Sequence, residues 1–250
     1  MLRNTFLFLD GIRQGRERSL WQQGIHDWND FLGLEVKGIS ENKKAKLDSQ
    51  LLLAKKAVED YDSHFFSNKL KNSDRWRLFK DFKDDACFLD IETTGYYSDV
   101  TVIGISNGFE TKTFVKGINM NRNKVIEELS KYKLMLTFNG SSFDLPVLKR
   151  YFGLEIQLPH IDMRHVCSKI GLNGGLKSIE HQLGIKRENE VQTVTGSDAV
   201  IFWELWKRTN EKKYLELLVK YNSEDCDNLR PLANYAINEL WKKTFNFSIQ

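Results

Sequence analysis

The chain has 250 residues, of which 41% are apolar, 12% aromatic and 28% charged, with three prolines; that balance excludes a disordered or low-complexity protein and leaves room for one large domain, or a core domain with a modest appendage. A net charge of +3 permits a polyanionic partner, but on this length it does not demand one. The cysteines, Cys87, Cys167 and Cys226, lie far apart and make no C-x-x-C pair, which argues against a disulfide framework or structural zinc site and suits a reducing, cytoplasmic setting.

Residues 1 to about 80 read as a helical region. The longest early apolar run, residues 6–9, is too short for a signal segment or a membrane span, so neither is expected. Leu47, Leu51, Ala54, Val58 and Tyr61 recur at three- and four-residue steps and predict one amphipathic helix of about five turns. Lys43, Lys44 and Lys46 read as its solvated face. From Cys87 the pattern changes to short β-rich runs over 87–92, 100–106, 112–115, 134–139 and 159–162. Three strands in close succession, followed by single strands alternating with helices, predict an α/β core whose mixed sheet opens antiparallel. Apolar periodicity then predicts helices over 176–183, 198–208, 212–220 and 223–241, with Trp203 and Trp206 as packing residues.

The chemistry-bearing residues fall in three segments. In Phe88-Leu89-Asp90-Ile91-Glu92-Thr93-Thr94-Gly95, strand alternation puts Asp90 and Glu92 on one face and Leu89 and Ile91 on the other. Two carboxylates that close repel one another unless a cation neutralises them, and hard divalent ions prefer carboxylate oxygen. The second segment, 134–144, is an apolar strand ending in a polar turn that carries Asp144, where strand-end turns of open α/β sheets bind ligands. Asp144 also reads as the N-cap of a helix beginning at Leu145-Pro146. In the third segment Tyr221 and Asp225 stand four apart and share a helical face.

In this order these segments resemble the motifs of the DEDD exonuclease superfamily, in the branch whose last motif is Y-x-x-x-D. The residues around them (Gly175-Leu176-Lys177-Ser178-Ile179-Glu180, Leu183-Gly184-Ile185, Asp198-Ala199-Val200 with Trp203, and Tyr221-Asn222) resemble its YprB-like group of RNase H-like domains. The resemblance implies an RNase H-like mixed sheet with flanking helices over 81–250, preceded by the helical region 1–80. It implies two divalent cations, Mg²⁺ or Mn²⁺, held by Asp90, Glu92, Asp144 and Asp225, with Asp90 bridging both and Tyr221 orienting the attacking water. Asn139 and Phe143, flanking the second motif, are expected to hydrogen-bond and stack on a terminal nucleotide, with core packing the alternative for Phe143. Glu224 and Asp227 are further acids that compete for the role given to Asp225, whereas Asp162 and His165 suit surface or capping duty.

Gly11-Ile12 with residues 20–28 resembles a degenerate helix-hairpin-helix, a phosphate-backbone grip to which Arg13, Arg16 and Arg18 add charge, although Arg13 stands where the second hairpin glycine belongs. The activity these residues imply is 3′ to 5′ exonucleolytic hydrolysis of nucleic acid, chiefly single-stranded DNA ends, with RNA ends also open. The alternatives are a catalytically weak nucleic-acid-binding module and an RNase H-type endonuclease.

Overall fold

The computed structural model describes residues 1–95 and 99–249. The chain divides into two compact units, one of residues 1–84 with those from 237 on, the other of residues 85–236.

The first unit is helical: α1 (Gln14–Gln22), α2 (Trp28–Gly33), α3 (Glu41–Glu59), α4 (Ser63–Ser67) and α5 (Phe79–Phe82). Asp27 and Asp30 form a capping box at the start of α2, satisfying backbone donors that a helix N-terminus leaves orphaned. Helix α3 buries Leu47, Leu51 and Ala54 of the stripe that the periodicity predicts, together with Ala57, whereas Val58 is half-buried. Tyr61, expected on that stripe, instead lies beyond the helix end. There the Tyr61 N–H bonds to Val58 O and the Asp62 N–H to Ala57 O, with Tyr61 left-handed at φ 56 and 44% exposed. This is a Schellman stop without its usual glycine, and sequence periodicity does not register it. Lys44 and Lys46 pair with Asp48 and Asp10, as a solvated face allows.

Aromatic side chains fill the core of this unit, with Phe6 against Phe31 and Trp28 stacked on Phe66. Within it lies an ion pair, Arg77 Nη1 to Glu17 Oε2 at 3.0 Å, the two side chains 2% and 1% exposed. Glu17 also accepts from Thr5 Oγ1 (2.6 Å) and Phe6 N (2.8 Å), and the guanidinium sits over the rings of Trp76, Trp241 and Trp21.

The second unit carries the sheet: β1 (Ala86–Thr93), β2 (Val100–Ser106), β3 (Thr111–Val115), β4 (Leu134–Thr137) and β5 (His160–Asp162), in the order β3-β2-β1-β4-β5. β1 pairs antiparallel with β2, and β2 with β3, while β4 runs parallel to β1 and β5 to β4. The mixed sheet with an antiparallel opening is therefore as the strand spacing predicts. Its helices are α6 (Arg122–Leu129), α7 (Asp144–Phe152), α8 (Met163–Lys169), α9 (Leu176–Leu183), α10 (Gly196–Thr209) and α11 (Lys212–Asp227). A last helix, α12 (Leu229–Ile249), contributes residues to each unit.

Every residue of β1 except Asp90 is buried, because helices cover both faces of the sheet. Cys87, Leu89 and Ile91 pack with Val125 and Leu129 of α6 and Val147 and Leu148 of α7. On the opposite face Val102 and Val115 meet Ala199 and Trp203 of α10 and Leu218 and Tyr221 of α11. The periodicity predicts a helix break between Lys220 and Ser223, but α11 is continuous and the interruption falls at Asn228. Asn222 is a poor helix residue when its amide competes for backbone partners. Here it is fully buried and its side chain bonds elsewhere, so the helix runs through it. Among the described residues no helix is long and apolar enough to cross a membrane. The three cysteines are free and buried.

Candidate active site

Strand β1 delivers Asp90 and Glu92 to the face that α11 covers, and α11 delivers Asp225. Carboxylate oxygens of these three residues lie within 4.8 Å of one another. Asp90 is half-buried, and Glu92 and Asp225 are buried. Burial first, and then the neighbouring acids, push the carboxyl groups of Asp90 and Glu92 well above the usual carboxylate range. Asp225 is raised by burial but held back by Arg187. A turn before Asp225 stands Tyr221, whose hydroxyl is near enough to lower the Asp225 carboxyl. Burial and the surrounding acids raise this phenol, so it stays protonated. The shared helical face expected of Tyr221 and Asp225 is thus present.

Asp144 departs from its expected capping role. It is the first residue of α7, and Phe143 occupies the cap position without a side-chain bond to the helix. The Asp144 Oδ1 instead accepts from the Ile91 N–H at 3.2 Å, between the two acids of β1. That donor is left over because β4 pairs with β1 only through Ala86, Cys87 and Phe88. Burial pushes the Asp144 carboxyl up to about 7. Asp144 is near enough to raise Glu92 electrostatically, yet it lies outside the three-acid group.

The turn that launches Asp144 is held by Asp162. Its Oδ1 accepts from Asn139 N (2.8 Å) and Arg164 N (3.1 Å), and its Oδ2 from Ser141 N (3.1 Å). Asp162 is the N-cap of α8, the capping duty expected of it, and it serves the turn as well. Asn139 adopts a left-handed φ of 67, which asparagine tolerates better than most residues, and its Oδ1 accepts from Arg164 Nη1. Gly140 is required here, since a Cβ would meet Thr137 Oγ1 at 2.1 Å. Phe143 is half-buried and packs against the core cluster. His165 is exposed.

Of the other acids on α11, Asp227 accepts from Ser106 Oγ (2.6 Å) and Thr111 Oγ1 (2.7 Å), and Glu224 accepts from Glu188 N (2.9 Å). Both therefore serve local structure. Arg13 and Arg16 belong to the helical unit, Arg13 as the exposed N-cap of α1 and Arg16 donating to Lys37 O.

The structure brings to the cluster several residues to which the sequence assigns no site role. Asn222 Nδ2 donates to Asp90 Oδ2 at 2.8 Å. Arg187 contacts Asp225 and, through two bonds, Glu180. Lys177 Nζ lies 4.7 Å from the centre of the Tyr221 ring, and its charge counters Glu92. Gly104, directly opposite Asp90 in the β1–β2 register, has no Cβ because α11 lies against it. A Cβ there would meet Asn222 Oδ1 at 2.3 Å and Cys226 Sγ at 2.8 Å. A lone glycine inside an apolar strand was the legible signal for this close approach. Gly104→Ala must push α11 off the sheet, and we expect it to lower unfolding free energy by about 1–3 kcal/mol. Chemical denaturation checks this, and a variant as stable as the parent contradicts the contact.

Three clustered carboxylates, of which Asp90 and Glu92 are raised by burial and by neighbouring acids, form an oxygen-only donor set, the chemistry that suits a hard divalent cation such as Mg²⁺ or Mn²⁺. A family model described as the RNase_H superfamily matches residues 87–237, which include all these acids and Tyr221. Neither the curated proteins nor the solved structures provide a match.

Proposed function

Because the chain belongs to the RNase H superfamily, we propose that it is a divalent-cation-dependent nuclease that removes nucleotides from the 3′ ends of nucleic acid, single-stranded DNA foremost. The superfamily itself supports the coarser part of this reading, a phosphodiester hydrolase acting on nucleic acid. The observation that carries the finer part is the convergence of Asp90, Glu92 and Asp225 with a protonated tyrosine one turn away.

Asp90, Glu92 and Asp225 are the residues that would hold the cation, and Asp144, pinned to the Ile91 N–H, is the proposed ligand of a second. When bound, two such ions lower the pKa of water and offset charge on the leaving 3′ oxygen. Tyr221, buried and held against Asp225, offers its hydroxyl to orient the water. Asn222 steadies Asp90 from behind. Arg164 occupies the Asn139 carbonyl oxygen, so the Asn139 amide NH₂ is the group proposed to meet a terminal nucleotide, with Phe143 beside it for stacking. No side chain here forms a covalent bond with substrate. We assign nuclease chemistry to residues 81–250 and treat 1–80 as a helical accessory whose Arg13 and Arg16 are proposed contacts to the phosphate backbone.

The test is a time course on 5′-labelled single-stranded DNA, RNA and duplex oligomers with Mg²⁺ or Mn²⁺. The expected result is a ladder shortening from the 3′ end, silenced by chelator and by a blocked 3′ terminus. Cutting of circular single strands assigns the chain to endonucleases instead. Binding without cleavage in either cation makes it a binding module.

A further inference from the structure

Three of the four acids have one oxygen tied by a named donor. Asn222 donates to Asp90 Oδ2 and the Ile91 N–H to Asp144 Oδ1, while Arg187 Nη2 is ion-paired with Asp225 Oδ1. The third tie differs from the others because its donor is itself built into a buried ion pair. Arg187 lies in the segment between α9 and α10 with its side chain 4% exposed, and its Nε and Nη2 reach the two oxygens of Glu180 on α9 at 2.6 and 2.8 Å. The Glu180 side chain is 2% exposed.

Charge decides what this arrangement does. Arg187 alone beside Asp225 would neutralise it and compete with a cation for it. With Glu180 bonded in two-point fashion to the same guanidinium, the pair sums to zero. What remains is position: a planar fork that grips Glu180 with one edge is held in place, and its Nη2 is thereby fixed against Asp225 Oδ1. A pair serving stability alone gains little from buried ions, since well-packed apolar side chains often replace such pairs without loss. Groups that hydrogen-bond a ligand carboxylate from behind, by contrast, tune its hold on a metal.

We propose that Arg187, oriented by Glu180, is the positioning residue for Asp225: it fixes which carboxylate oxygen faces the divalent cation, and so sets the affinity of the site for that ion. The inference rests on the reading of Asp90, Glu92 and Asp225 as cation ligands. It is separable from that reading by measuring cation binding itself rather than turnover.

Mn²⁺ is titrated calorimetrically into the full-length protein, into the charge-neutral double variant Glu180→Leu with Arg187→Met, and into Arg187→Lys, with thermal unfolding of each recorded without metal. The double variant is expected to bind Mn²⁺ about tenfold to a hundredfold more weakly. Arg187→Lys keeps the buried charge opposite Glu180 and provides the reading if the double variant does not fold. Lysine lacks the fork that spans both carboxylates, so its Mn²⁺ affinity is expected to fall at least about tenfold as well. Parental Mn²⁺ affinity in the folded double variant, or in Arg187→Lys, overturns the proposal, since a merely structural pair moves the melting temperature and not the cation affinity. Failure of the parent to bind Mn²⁺ at all overturns the cation-site reading first.

Discussion

Asparagine in place of Asp90 is expected to reduce cation-dependent cleavage by at least about a thousandfold, equivalent to roughly 4 kcal/mol in the barrier, while the metal-free protein melts no lower than its parent. The two halves of this expectation come from the same feature. Asp90 has its carboxyl raised by burial and by Asp225, Glu92 and Asp144, so its ionised form is held at a cost to the fold. Asparagine removes that charge and keeps an oxygen to accept from Asn222 Nδ2, whose bond to Asp90 spans 2.8 Å. What is lost is one carboxylate of the proposed cation site. Single-turnover cleavage with Mn²⁺, set beside a melting curve in chelator, measures both halves. Cleavage within tenfold of the parent removes Asp90 from the chemistry, and a melting temperature several degrees lower removes the argument that the acids repel.

Truncation of either partner of the buried pair in the helical unit, Arg77→Ala or Glu17→Ala, is expected to cost about 3–5 kcal/mol. Each leaves one ion stranded beneath the aromatic core, with Glu17 and Arg77 side chains 1% and 2% exposed. Against a typical total of about 5–15 kcal/mol this is a large fraction. The pair is nevertheless a poor source of net stability. Burial pushes the Glu17 carboxyl above its ordinary range in spite of Arg77 and the bonds from Thr5 and Phe6. Replacing both partners together, Glu17→Met with Arg77→Met, is therefore expected to recover most of the loss. Urea titration followed by tryptophan fluorescence reports it, since Trp21, Trp76 and Trp241 surround the guanidinium. A single truncation costing less than about 1 kcal/mol contradicts the assignment.

Sequence made the sheet and the acids of β1 legible because both follow from short-range rules. Period-two alternation puts Asp90 and Glu92 on one face whatever lies opposite, and the one-turn step from Tyr221 to Asp225 is equally local. The place of Asp144 after a strand is legible, but its partner is not. The capping rule looks to the following helix, whereas the carboxylate turns to an N–H 53 positions earlier. The supporting groups stayed hidden for the same reason. Asn222 meets Asp90 across 132 positions, and nothing in the run Lys186-Arg187-Glu188 distinguishes a buried guanidinium from the many exposed ones. The misplaced break in α11 and the overlong α3 stripe arise where a tertiary contact or an end motif overrules periodicity.

Helix α11 buries Leu218, Tyr221, Asn222, Asp225 and Cys226 along one side, seated where Gly104 leaves room. The acids of β1 and the acid of α11 therefore become neighbours in one event, the seating of that helix on the sheet. A molecule whose α11 has lifted away retains its strands but has no cluster to offer. Amide hydrogens from 218 to 226 that exchange only through this lifting thus count the molecules out of service at any moment, and their slowing on addition of Mn²⁺ would measure how strongly the ion clamps helix to sheet.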